Sequence, residues 1–396
     1  VSRFGQADSA STPFKLLAIM LVGLNLRPFL TATGPLADEI RQASGLNLQG
    51  LSLLTLIPMV LMGLLAFAGP RLAAHFGARR VVLAALGCIA VASLLRVFAA
   101  EAGILLGTAV LLGGGAALIQ AVFPGIMKRL FPTRVPAVTG LYSALLMGGG
   151  ALGAQLAPVL AGRSGVWQVG LVWLAAPALL AIVAVACGLQ RDQPVALEQG
   201  PLAALVGWPR AWLLMSCFGL VNGGYSSAVA WLAPAFQAAG VAHEASGGLL
   251  ALMAICQAAG ALILPLCAAR DVDRRAWLGL ALALQLAGFC GLTFWPGAAP
   301  LLWAAVLGFG LGGCFALMMV IALDQFRAPE TANALAALMQ GGGFIIAALP
   351  PFAVALLHDA TGSYAAGWSM HLIVVGIVGL LTLRLSPIAV QGDRSR

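Results

Sequence analysis

Acidic side chains are scarce in this chain: Asp and Glu number 13 among 396 residues, and charged residues of both signs make up only 9%. Soluble domains carry about 25%, so a soluble fold is excluded for want of polar surface. The seven cysteines (Cys88, Cys187, Cys217, Cys256, Cys267, Cys290 and Cys314) lie in or at the ends of apolar runs, and none forms a C-x-x-C pair. They read as small apolar fillers, and neither a disulfide framework nor a metal site is expected. No cofactor motif is visible. No cleavable signal is expected either, because Val1 to Pro13 is a polar tail and the first apolar run is long enough to span and stay.

What the chain has in abundance is apolar length. Hydrophobic residues make up 61% and the mean hydropathy is +1.00. A helix needs about 20 apolar residues to cross a bilayer. Runs of that kind fall at 15–37, 50–70, 79–99, 104–127, 137–161, 166–189, 210–236, 246–268, 276–295, 299–323, 333–357 and 366–386. The expectation is an all-α membrane protein of twelve spans. Placing the amino terminus in the cytoplasm puts 17 of the 21 Lys and Arg inside and three (Arg41, Arg96, Arg163) outside. That split satisfies the positive-inside rule and leaves both termini cytoplasmic. The net charge of +8 therefore needs no nucleic-acid partner; the bilayer accounts for it.

The chain also repeats itself. "PRLAAHFGARRVVL" (Pro70 to Leu83) and "PLCAARDVDRRAWL" (Pro265 to Leu278) share Pro, Ala-Ala, Arg-Arg and Leu at an offset of 195. Pro136, Gly148 to Gly150 and Pro158 map onto Pro329, Gly341 to Gly343 and Pro351 at an offset of 193. The expected organisation is a tail (1–14), a six-helix bundle (15–189), a cytoplasmic linker (190–209), a second, pseudo-symmetric six-helix bundle (210–386) and a tail (387–396). Parallel repeats of this kind are those of the major facilitator superfamily, which the chain resembles over nearly its whole length. The resemblance implies a substrate site near mid-membrane and alternating access by rocking of one half on the other. Leu72, Ala73, Gly77 and Arg79 fit the superfamily's loop signature after the second helix, whereas Ala74 and His75 replace its Asp-Arg. Arg79 and Arg80, with Arg274 and Arg275 in the repeat, are the candidate cytoplasmic gate.

One residue breaks the apolar pattern. Arg27, in "NLRPFLTATGP", lies 12 residues past Lys15, about 18 Å along a helix and close to the bilayer centre. An unpaired Arg at that depth costs from about 3 to more than 10 kcal/mol. All 13 acids fall in loops, tails or last turns, so no side-chain anion is at hand. Two readings stay open: Arg27 donates to main-chain and amide oxygens and locks helices together, or the missing anion is the substrate. Pro28 removes a backbone donor beside it, and broken backbone at depth is tolerated only where protein buries it or a cavity takes it up. Thr31 shares Arg27's helical face, and Asn25 lies on the opposite side unless the break turns it inward; both join Arg27 as candidate substrate-binding residues.

The seventh span centres on "NGGYSSAVAW" (Asn222 to Trp231). Asn222 and Ser226 offer hydrogen bonds there, and Tyr225 and Trp231 are expected to wall the cavity. Among the intramembrane Gln120, Tyr142, Gln155, Gln257, Gln285 and Gln340, the two expected to reach it are Tyr142 and Gln340, beside the glycine triplets. The triplets themselves read as packing seams, and His371 as a structural histidine.

"LNLRP", Gly34-Pro35-Leu36, "WLAP" (Trp231 to Pro234) and "GIMKRLFP" (Gly125 to Pro132) resemble one branch of the superfamily, the cyanate transporter and 2-nitroimidazole exporter family. The resemblance implies a bacterial inner-membrane carrier of a small solute, either a cyanate-like anion or a nitro-substituted heterocycle. A fixed cation with no competing acid favours the anion, with efflux of small drug compounds as the alternative. A monomer is expected, and neither an enzyme nor a sensor fits a chain without a catalytic cluster or a long soluble segment.

Overall fold

The computed structural model describes residues 12–189, 202–326 and 328–386. The expected tails, apart from 12–14, and most of the expected linker lie outside them. Sixteen α-helices follow in order: α1 Thr12–Leu24, α2 Pro28–Thr31, α3 Ala37–Ser44, α4 Leu48–Phe76, α5 Ala78–Leu95, α6 Ala102–Leu130, α7 Val135–Ser164, α8 Val169–Val172, α9 Ala175–Gly188, α10 Leu202–Val206, α11 Pro209–Ala238, α12 His243–Cys267, α13 Arg275–Phe294, α14 Pro300–Leu323, α15 Pro329–Thr361 and α16 Ala365–Thr382. They make twelve segments long and apolar enough to cross a membrane, one for each run read from the sequence.

The boundaries shift for two reasons. Several helices outrun their apolar core, as α15 does at both ends of the expected 333–357, because backbone hydrogen bonding continues after the side chains turn polar. The first span, expected at 15–37, is instead three short helices and a 3-10 turn reaching Ser44. Turns between spans are tight: Asn47 caps α4 by accepting from the Gly50 N–H at 2.8 Å, and Gly45 closes α3 at φ 69°, a conformation that a Cβ disfavours.

The outward faces are apolar, with Leu180, Leu262, Ile373 and Leu380 all at least 60% exposed. Such a surface is stable only against lipid tails. Across the middle of the molecule, α4 packs on α15 and α7 on α12, so the first six spans meet the last six along two helix pairs. At the face opposite the basic loops they are tied by polar contacts. Gln49 Nε2 donates to Asp359 Oδ2 at 2.5 Å, and Gln237 Nε2 to the Pro35 carbonyl at 2.8 Å. His243 Nδ1 lies 3.0 Å from Glu39 Oε1. That face is closed.

Candidate functional site

The break in the first span builds the site. Pro28 has no N–H, so α1 ends at Leu24 and the chain passes through two tight turns, Asn25 N–H to Val22 O and Leu26 N–H to Gly23 O, both 3.2 Å. Arg27 then caps α2. The carbonyl of Leu24 is left over, and α7 accommodates it: a Cβ on Gly149 would collide with that oxygen. Gly153 is seated as closely against Pro28. Thr31 donates to the Gly150 carbonyl at 2.7 Å. Gly149, Gly150 and Gly153 are thus the bed on which the broken backbone lies.

Arg27 is 4% exposed. Its Nε and Nη1 are sealed from solvent and have no hydrogen-bond partner, and among the described residues no carboxylate is paired with it. The guanidinium points out of the first six spans, with Cζ 4.9 Å from the ring centroid of Tyr225 on α11. Tyr142 on α7 lies against the first span, where a Cβ on Gly23 would fall 3.2 Å from its ring. Its ring stacks on Phe123 at 5.6 Å, and its buried hydroxyl has no partner. Three buried polar atoms on the first span and α7 therefore keep unused bonding capacity: two guanidinium nitrogens and the Tyr142 phenol oxygen. Unpaired buried groups cost about 1–3 kcal/mol each, which a ligand completing them would recover.

Other expected site residues lie elsewhere or are already committed. Asn25, expected beside the substrate, uses its Nδ2 on Leu21 O (2.7 Å) and Pro177 O (3.0 Å), tying the first span to α9. The break does not turn it inward. Trp231, expected as a cavity wall, is fully buried: its Nε1 donates to Pro351 O at 2.8 Å and its ring packs 5.9 Å from Tyr364. Both serve to join helices. Asn222 Nδ2 bonds back to Phe218 O at 2.8 Å. Ser226 donates to Gly223 O (3.0 Å) and Ala347 O (2.5 Å), pinning α11 to α15. Gln340 is half-buried, with Nε2 3.1 Å from Met319 Sδ.

Of the four candidate gate arginines, Arg79, Arg274 and Arg275 bond within their own six spans. Arg79 Nη2 donates to Ala186 O at 2.7 Å, and Arg80 is exposed. Arg274 pairs with Asp324 at 2.8 Å, and Arg275 with Asp273 at 2.6 Å. Among the described residues none of them joins the halves, whereas Glu39, Gln49, Gln237, His243 and Asp359 do so at the opposite face. Sequence reasoning missed that second set because acids and amides at helix ends look like ordinary loop residues.

Comparison with known proteins agrees with this architecture. The Major Facilitator Superfamily profile matches residues 16–348. The chain is 46% identical over 375 residues to the cyanate transport protein CynX of Escherichia coli K12, covering 94% of this chain and 97% of that one. It is 30% identical over 369 residues to the 2-nitroimidazole transporter of the same organism, covering 92% of each. Its fold superposes with a TM-score of 0.79 on the crystal structure of a bacterial homologue of the human lysosomal transporter Spinster, at 17% identity over 95% of this chain and 97% of that one. With twelve spans, a broken first helix beneath a buried arginine and a profile match over most of its length, the chain belongs to the major facilitator superfamily, a secondary transporter of small molecules and not an enzyme.

Proposed function

We propose that this protein moves a small monovalent anion, cyanate or a solute of its size and charge, across the bacterial inner membrane, with Arg27 as the anion's ligand. Residues 15–189 and 210–386 act as the two rocking units of alternating access. The observation that carries the reading is the buried guanidinium whose Nε and Nη1 have no partner. A guanidinium stays protonated at any working pH and is less strongly hydrated than an ammonium, so it can hold an anion without acting as a proton carrier. The Tyr142 hydroxyl on α7, buried and unpartnered, is the second donor. Thr31 fixes the backbone beneath them through Gly150. The 46% identical relative bears the name of a cyanate transport protein, in keeping with this chemistry.

Export of a nitroaromatic compound, the activity in the name of the 30% identical relative, fits the geometry less well. Stacking on such a ring requires a free aromatic face. Trp231 has none to offer, being fully buried, and Tyr225 already faces the guanidinium.

Counterflow of labelled cyanate in proteoliposomes decides the matter. Wild type is expected to accumulate label and Arg27→Ala to lose at least about tenfold in rate, the cost of removing a charge-assisted contact. Equal accumulation by both would end Arg27's role, and resistance to nitroimidazoles without cyanate exchange would favour the alternative.

A further inference from the structure

We infer that Tyr225 positions Arg27, and that ring and guanidinium together form the mid-membrane contact through which the first six spans and the last six share one anion. The inference rests on the reading of Arg27 as the anion's ligand and identifies what aims it.

The two residues are each 4% exposed, with Cζ 4.9 Å from the ring centroid. A cation over an aromatic face is stabilised most where water is excluded. The choice of a ring has a chemical consequence. A carboxylate in the same place would take two N–H groups at once, leaving little for a ligand. A ring face steadies the charge electrostatically and offers no lone pair in return, so Nε and Nη1 keep their donor capacity. That is how an arginine can be held in place and still be available.

The ring is the stiffer member of the pair. Arg27 stands before the single turn of α2, on backbone interrupted by Pro28. Tyr225 stands on α11, helical from Pro209 to Ala238. The residues before it are tightly packed: a Cβ on Gly223 would fall 2.5 Å from Pro350 Cγ, and one on Gly224 3.1 Å from Phe289 Cζ. The cation thus takes its direction from the opposite half. Because the two belong to different rocking units, reorientation of the carrier changes their spacing. An anion bound to Arg27 compensates the charge when the ring no longer does, which ties the movement of the halves to occupancy of the site.

The test compares KM and maximal rate of labelled-cyanate counterflow in wild type, Tyr225→Phe, Tyr225→Leu, Tyr225→Met and Arg27→Ala. Folding of each is checked by gel filtration and thermal unfolding in detergent. Tyr225→Phe keeps the face and is expected to hold KM within about twofold of wild type, whereas Leu and Met are expected to raise KM by about tenfold with the maximal rate largely kept. If Arg27→Ala is inactive while Leu, Met and Phe all retain the wild-type KM, the positioning role is overturned and the anion site stands. If Arg27→Ala is fully active, the anion site itself falls. Loss of activity in Phe equal to that in Leu would assign the effect to the hydroxyl and also overturn positioning by the ring. Should Leu fail to fold, Met carries the comparison, being unbranched and adaptable in packing.

Discussion

Thr31 donates its hydroxyl to the main-chain oxygen of Gly150 at 2.7 Å, so the first span is pinned to α7 one turn beyond the arginine it presents. The glycines of α7 make this possible. At Gly153 a Cβ would fall 2.5 Å from Pro28 O and 2.6 Å from Thr31 Oγ1, whereas at Gly148 nothing lies within 4 Å. Gly153→Ala is therefore expected to destabilise the protein by about 1–3 kcal/mol through overpacking and to impair counterflow. Gly148→Ala is expected to leave both unchanged. Thermal unfolding in detergent beside a transport assay checks the pair.

Replacing Arg27 by Lys keeps the charge and loses the planar fork. A compact, strongly hydrated ammonium holds an anion as a point charge without bidentate geometry. Arg27→Lys is expected to lie between wild type and Arg27→Ala, with KM raised about tenfold. A KM equal to that of wild type would show that charge alone suffices and that the fork has no role.

The far face is held by exposed polar ties, which makes it adjustable. Pairs of this kind contribute less than about 1 kcal/mol each, so removing one shifts the balance of conformations by no more than about fivefold. Gln49→Ala with Glu39→Gln is expected to populate the form open at that face. Spin labels on Ser164→Cys and Ala245→Cys, at the exposed far-face ends of α7 and α12, in a background freed of the native cysteines, would report a longer distance component. An unchanged distribution would mean that helix packing alone closes this face.

At the basic face, Arg275 hydrogen-bonds both oxygens of Asp273 at 2.6–3.0 Å and holds its carboxyl below the usual 3.8. A depressed carboxylate contributes stability that is fully present above its unfolded value and lost as pH falls below 3.8 through the lower folded value. Asp273→Asn is expected to flatten the acid limb of a plot of melting temperature against pH and to change little at pH 7. A variant that kept the wild-type acid limb would show that this pair contributes nothing to it.

The spans were legible in the sequence because the hydrocarbon imposes a length and a composition on every crossing helix. Arg27 was legible for the complementary reason: a permanent charge among apolar residues has no solvation there except what the protein or a ligand supplies. The break at Pro28 followed from the missing N–H, and the glycine triplets could be recognised as seams. Asn25 and Trp231 were expected at the substrate, and the structure has their donors bonded elsewhere. Both are polar-tipped residues in the expected region, and only the packing of α9 and α15 revealed that their donors were already committed. The ties of Glu39, Gln49 and Gln237 across the far face were invisible for a related reason: their partners lie more than 200 residues away in the chain.

The sequence by itself determined a twelve-helix membrane protein and singled out Arg27 as a cation far from any acid in the chain, because lipid solvation acts on each segment separately and leaves its mark residue by residue. Tertiary structure alone decided what that cation faces. Arg27 and Tyr225 are brought to 4.9 Å by the packing of two bundles against each other, and such packing depends on the shapes of many side chains at once, which no local pattern encodes.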